Sequence, residues 1–309
     1  MAYVWGLFIW ALAFFAALKI GAVDNADYDV IVQLRLPRAL LGTAVGMGLA
    51  VAGAALQALF SNPLCEPYTL GISSGSALGA VVGVSLGLEW IVAGLAGPAF
   101  AGALLFLGIL YLFSLRPNTN NLTVLLCGVM LGFLGSSLVA LWMALSDSNG
   151  IQAAVFWLLG DLSRARIKGV LITLAIVLNL SLLLWSRWRA LDALLLGEEG
   201  AVSLGIEVRS VRRSLMLITS LLIAVCVSAS GMIGFVGLVV PHFARRLVGS
   251  LHLRLLPLCA IWGAATLTAA DGLSRWLLKP YELPVGVITA LLGAPVFLWI
   301  MLGRKEPMT

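Results

Sequence analysis

The fold class this 309-residue sequence predicts is an all-α protein built to sit in a lipid bilayer. Three observations predict it. Apolar residues make up 61% of the chain and charged residues only 11%, against about a quarter charged in a soluble domain, so water is not the solvent for most of the surface. The apolar residues fall in runs near the length of a membrane-spanning helix, about 20 residues. Within those runs small residues recur at three- and four-residue steps. That spacing lets helix backbones approach closely where lipid removes any hydrophobic drive for helix association. Ten such runs predict ten transmembrane helices in a single domain, 1–309.

Tyr3–Leu18 is the first predicted span. It starts almost at Met1 without a basic n-region or an Ala-x-Ala site, and is expected to be a retained helix. Residues 19–38 form a polar stretch with Lys19, Asp24, Asp27, Asp29, Arg35 and Arg38. Ala39–Leu59, the second span, carries Gly42, Gly46, Gly48, Gly53 and Ala54, and Pro63 and Pro67 stop it. Leu70–Leu88 is the third. Its glycines 71, 75, 79 and 83 stand at four-residue intervals, which predicts one buried helix face. Ile91–Leu115 is the fourth span, with a polar exit from Arg116 to Asn121, and Val124–Leu145 is the fifth. Gln152–Gly160 reads as a short amphipathic piece followed by the basic loop Arg164, Arg166, Lys168. Val170–Trp185 is the sixth span.

The longest polar excursion runs from Arg187 to Arg213. Its centre, about 193–208, mixes acidic and apolar residues with internal glycines, which predicts one or two short amphipathic helices outside the bilayer. Ser214–Ala229 is the seventh span. Ile233–Val240 is too short to cross alone; it is the eighth, with a break at Pro241 and a polar turn beginning at His242. Leu255–Leu278 is the ninth, with Asp271 and Arg275 near its end, where an Asp271–Arg275 pair one turn apart is expected. Pro284–Leu302 is the tenth. In each half a helix of small residues runs to a proline, at Asn62-Pro63-Leu64 and at Val240-Pro241-His242, a hint of the duplicated, interrupted segments found near transport pathways.

Ten spans put both termini on one side. With both inside, the inner loops hold eleven of the nineteen Lys and Arg residues and the outer loops eight, so the charge bias favours cytoplasmic termini by a narrow margin. The net charge of +5 is spread over short loops and reads as topology, not as a nucleic-acid footprint, so no nucleic-acid partner is expected. Cys65, Cys127, Cys226 and Cys259 lie far apart, with no CxxC and no His at metal spacing. They are read as packing residues, and neither metal nor cofactor is expected. An ion-coupled secondary transporter would need carboxylates buried mid-helix, but Asp271 and Glu89 sit near predicted helix ends. An intramembrane enzyme would need H-E-x-x-H or G-x-S-x-G; the chain is read as holding neither, and no catalytic residue is assigned.

Several long strings then carry a resemblance, in order along the chain. They are RLPR at 35–38, ALQALFSNPLCEPYTLGISSGSALGA at 55–80, LGEEGAVSLGI at 196–206, SGMIGFVGLVVPHFARR at 230–246 and ELPVGVITALLGAPVFLWIML at 282–302. Together they resemble the FecCD-like permeases of type II ABC importers, the iron-chelate and vitamin B12 family, from about Arg35 to the C-terminus. The resemblance implies a ten-helix subunit of a bacterial inner membrane. It implies a homodimer driven by two cytoplasmic ATP-binding cassette ATPases and fed by a periplasmic substrate-binding protein. The chain has no GxxxxGK[ST] phosphate loop, which fits ATP chemistry on a separate subunit. Haem or a ferric siderophore is the implied cargo, with vitamin B12 as the alternative.

By the same resemblance Arg35, Arg38 and Arg275 receive acidic residues of the binding protein, a task that suits a guanidinium fork. Arg164, Arg166 and Lys168 either extend that surface or form an ordinary solvated loop. Glu198, Glu199, Gly205 and Ile206 are the implied contacts of coupling helices with the ATPase. Asn62 and Leu64 match a cytoplasmic gate, and Asn120 and Asn121 a second constriction. Gln57 and His242 are further polar groups at or beside spans.

Overall fold

The computed structural model describes residues 1–21, 27–88, 91–92, 95–116, 119–146 and 148–302. Asp24, Glu89, Arg304, Lys305 and the side chain of Glu198 lie outside the described residues.

Helix α1 (Ala2–Lys19) is followed by α2 (Tyr28–Val30), a π-helical turn Ile31–Arg35 and α3 (Leu36–Leu59). A 3₁₀ turn, Pro67–Leu70, leads into α4 (Ile72–Ser85). A two-residue antiparallel ladder, Ile91–Val92 with Leu95–Ala96, precedes α5 (Gly97–Ser114) and α6 (Asn121–Leu145). Then come α7 (Ser148–Leu159), α8 (Ile167–Ser186), and the short α9 (Trp188–Leu194) and α10 (Gly197–Ser203). The chain closes with α11 (Val208–Ser230), α12 (Val236–Val248), α13 (His252–Trp276) and α14 (Val285–Leu302).

Among the described residues seven helices are long and apolar enough to cross a bilayer: α1, the continuous Tyr28–Leu59, α5, α6, α8, α11 and α13. The predicted third, eighth and tenth spans, α4, α12 and α14, fall outside that set.

The centre of the bundle is α3. Its apolar window is 89% buried, against 11% for α1, and it packs on α8, α11, α12 and α13. Small residues make this possible. A methyl on Gly46 would collide with the Gly263 carbonyl of α13, and one on Gly53 with the Gly237 carbonyl of α12. The predicted glycine face of α4 is present: Gly75, Gly79 and Gly83 lie against Phe106, Gly102 and Pro98 of α5. Gly71 is not part of it. It stands in the left-handed region before α4 and meets Gly128 and Leu131 of α6.

Several expected boundaries move, each for a physical reason. The second span begins not at Ala39 but within a helix running from Tyr28. Arg38 is paired with carboxylates and Arg35 is bonded to carbonyls inside the fold, so their charge does not end the helix. The third span shrinks from Leu70–Leu88 to α4 because Pro67 and the left-handed Gly71 turn the chain first. The fourth starts at Gly97, with Pro98 in its first turn, not at Ile91. The seventh extends back to Val208: Arg209 is exposed, and Arg213 donates to the Leu115 carbonyl, so these charges do not end the helix.

The eighth is the largest departure. Its break lies before Pro241, at Gly231–Phe235, and Pro241 and a buried His242 sit within α12. Proline removes the N–H that would bond the Gly237 carbonyl one turn back. Gln57 Nε2 faces that carbonyl at 3.5 Å instead.

Candidate functional site

Three polar constructions stand out, two of them at opposite ends of α13. At its C-terminal end, Arg38, Arg275, Asp271 and Glu282 form one cluster. Arg38 donates through Nε to Asp271 Oδ1 at 2.8 Å and through Nη1 to Glu282 Oε2 at 2.6 Å. Arg275 Nη2 lies 3.0 Å from Asp271 Oδ2, close enough for an ion pair but off the hydrogen-bond direction. Its Nη1 donates to the Ile20 carbonyl at 2.9 Å. Arg35 Nη1 donates to the carbonyls of Leu18 and Lys19 at 3.1 and 2.6 Å. Two guanidinium groups thus close the C-terminal end of α1, where orphan carbonyls and the helix dipole favour cations. All three arginines are buried. The expected Asp271–Arg275 pair is present, and Arg38 joins it from α3.

At the other end of α13, Asp192 of α9 accepts the backbone N–H of His252 at 2.8 Å and faces its Nδ1 at 2.6 Å. This fastens the base of the predicted coupling segment to a membrane helix. Two helices stand there, α9 and α10, and the turn after them needs Gly205 at φ +76°, a conformation that side-chain-bearing residues rarely adopt. Glu199 and Gly205 are exposed and Ile206 is half-buried. The apolar residues expected in this segment lie partly in the open, and they are not among the named contacts: Leu195, Leu196, Val202 and Leu204 are all exposed, Leu204 by 62%.

The third construction is where the two interrupted segments meet. After α3, Asn62 Oδ1 accepts the Leu64 N–H at 2.9 Å, an Asx turn that sets the chain's reversal. Asn121 Nδ2 donates to the Leu59 carbonyl at 3.1 Å. Asn120 caps α6, its Oδ1 accepting from Thr123 N at 2.8 Å. The two asparagine-bearing turns therefore come together at one end of the bundle. Among the described residues Ser61 and Phe235 are the non-glycine residues in the left-handed region, at φ 48° and 68°, one in each interrupted segment. Pro67 packs on Gly237 and the Tyr68 ring on Gly234.

Gln57 links the segments: its Nε2 donates to the Cys65 carbonyl at 3.3 Å and its Oε1 accepts from Arg245 at 2.5 Å. Glu66, also missed in the sequence, points its Oε2 into this packing without a partner. Burial pushes its carboxyl up from the usual value, and the Phe235 N–H offsets this in part.

The exclusion of G-x-S-x-G needs correcting, because Gly71-Ile72-Ser73-Ser74-Gly75 has that spacing. A nucleophile elbow requires an exposed serine on a strand-to-helix turn. Ser73 is buried in the first turn of α4 after a 3₁₀ turn, so the string packs α4 and presents no nucleophile.

A family model described as the FecCD transport family matches residues 4–303. The chain belongs to that family. It is a multi-pass membrane permease of the ABC-importer type. It is 38% identical over 290 residues to the hemin transport system permease protein HmuU of Yersinia pestis, covering 92% of this chain and 86% of that one. It is 39% identical over 295 residues to the cobalamin import system permease protein BtuC of Halobacterium salinarum, covering 95% and 79%. Among solved structures, an inward-facing metal-chelate type ABC transporter matches with a TM-score of 0.87 and 32% identity, covering 98% of this chain and 99% of that one.

Proposed function

We propose that this FecCD permease moves an iron chelate, haem or a ferric siderophore, across a bacterial inner membrane. The supporting observation is the likeness to a hemin permease over 92% of this chain, joined to the likeness to a metal-chelate type transporter. The similar identity to a cobalamin permease favours vitamin B12 as the second reading. Two copies of the chain form the pathway. A separate pair of ATP-binding cassette ATPases hydrolyses ATP, and a periplasmic protein delivers the cargo. Both termini are cytoplasmic, and α4, α12 and α14 complete ten spans.

In this reading α9 and α10 are the coupling helices. Glu198, Glu199, Gly205 and Ile206, together with exposed Leu195, Leu196, Val202 and Leu204, enter a groove of the ATPase, and the Asp192–His252 contact passes its motion to α13. Asn62 and Leu64, with Asn120 and Asn121, form the cytoplasmic gate, a narrow ring that closes the pathway without binding cargo. Arg35, Arg38 and Arg275 form the docking face for the binding protein. They are already engaged within the chain. An incoming carboxylate reaches Arg38 by displacing Glu282, whose side chain is 39% exposed.

The test is ATP-dependent uptake into proteoliposomes holding the chain, its ATPase and its binding protein, with haem, ferric siderophores and cobalamin offered in parallel. Uptake of haem or a siderophore that stops without ATP is expected. Uptake of cobalamin alone selects the second reading, and failure to associate with an ATPase overturns the proposal.

A further inference from the structure

One cavity belongs to none of the sites above. It has a volume of about 470 Å³ and opens between α4, α5, α7 and the loop after it, α8 and α11. Its rim and its walls differ in chemistry. The rim carries Arg164, Arg166 and Lys168, all exposed, against one carboxylate, Asp161, which holds Arg164 only at 3.7 Å. The walls are largely apolar, with Val84, Phe156 and Ile172 among the lining residues. Trp157 also lines it, and its indole N–H is buried without a partner.

The rim coincides with the start of α8. Arg166 is the N-cap residue, no side chain caps this end, and no acidic residue stands in the first turn, whose Lys168 and Gly169 line the cavity. An uncapped first turn offers free N–H groups and the positive end of a dipole. Because α8 is long and apolar enough to span the bilayer, its end lies at headgroup depth and its flank lies in hydrocarbon.

We propose that this cavity holds one anionic phospholipid. The phosphate sits on the first turn of α8 among Arg164, Arg166 and Lys168, and an acyl chain follows the Val84–Ile172 wall. Free phosphate shares the headgroup chemistry but would leave that wall unfilled, and a zwitterionic lipid gains less from three cations. The inference goes beyond the transport reading and needs only that α8 spans the membrane.

The test titrates the detergent-purified full chain with dioleoyl phosphatidylglycerol, dioleoyl phosphatidylcholine and sn-glycerol 3-phosphate, read by native mass spectrometry. One phosphatidylglycerol per chain is expected to be retained in preference to phosphatidylcholine. The triple change Arg164→Gln, Arg166→Gln, Lys168→Gln should cut its retention at least about tenfold. Ile172→Trp, which fills the groove and leaves every cation, should also cut it, and Lys168→Arg should preserve it. The proposal is overturned by unchanged retention in the triple variant or by equal retention of phosphatidylcholine. Full competition by glycerol phosphate would show a free-anion site. Weakened binding-protein association with lipid retention intact would make the rim a docking surface.

Discussion

The two ends of α13 solve the problem of charge in opposite ways. Asp271 and His252 are separated by about 28 Å of helix. Around Asp271 every guanidinium finds its counter-charge or a carbonyl within the chain, and the cluster is buried. Around His252 the segment is fastened by Asp192 and by buried Leu191, Leu194 and Ala201, while Leu195, Leu196, Val202 and Leu204 stand in the open. One end is complete by itself. The other has the apolar surface of an interface, and such exposed patches mark interaction sites.

The largest expected effect comes from breaking the complete end. Asp271→Ala would leave Arg275 a buried charge without its carboxylate and Arg38 with Glu282 alone. It should cost about 3–5 kcal/mol in a denaturant titration of the purified chain, whereas replacing Arg38, Asp271 and Arg275 together by Met, Leu and Met should be near neutral. If the single change is silent, the cluster does not hold α3, α13 and the end of α1 together. Next is the seam between α3 and α13. Gly46→Leu drives a side chain into the Gly263 backbone and should cost about 1–3 kcal/mol by the same titration.

A smaller effect is read with pH. Burial raises the Glu66 carboxyl, so the folded chain holds its proton to higher pH than the unfolded chain does. Stability from this group should fall as pH rises above the usual 4.5. Glu66→Gln should flatten that part of the stability–pH profile, and an unaltered slope would remove Glu66 as its source.

The contrast also explains what the sequence could show. The small-residue face of α3, Gly75, Gly79 and Gly83 of α4 and the short helices after α8 depend on local spacing, and these features are present. Arg35 and Arg38 looked like a loop because the partners of Arg38 are 233 and 244 residues away, and no local pattern announces them. Pro241 looked like a break because the group that meets the vacated Gly237 carbonyl, Gln57, is 180 residues distant. Glu66 lay in a proline-rich turn that reads as solvated. Val202 and Leu204 are ordinary apolar residues in sequence; only the fold shows that they stand exposed among the described residues.

The smallest expected change in stability belongs to the open end, and it yields the decisive comparison. Val202→Glu with Leu204→Glu should alter denaturation by no more than about 0.5 kcal/mol. The measurement to make is association of the purified chain with its ATP-binding cassette ATPase, wild type beside this double variant. Binding by the wild type, lost at least about tenfold in a variant of unchanged stability, is the predicted result. Equal binding by both, or a variant that unfolds as Asp271→Ala does, would contradict the assignment of α9 and α10 as the surface through which ATP hydrolysis drives this permease.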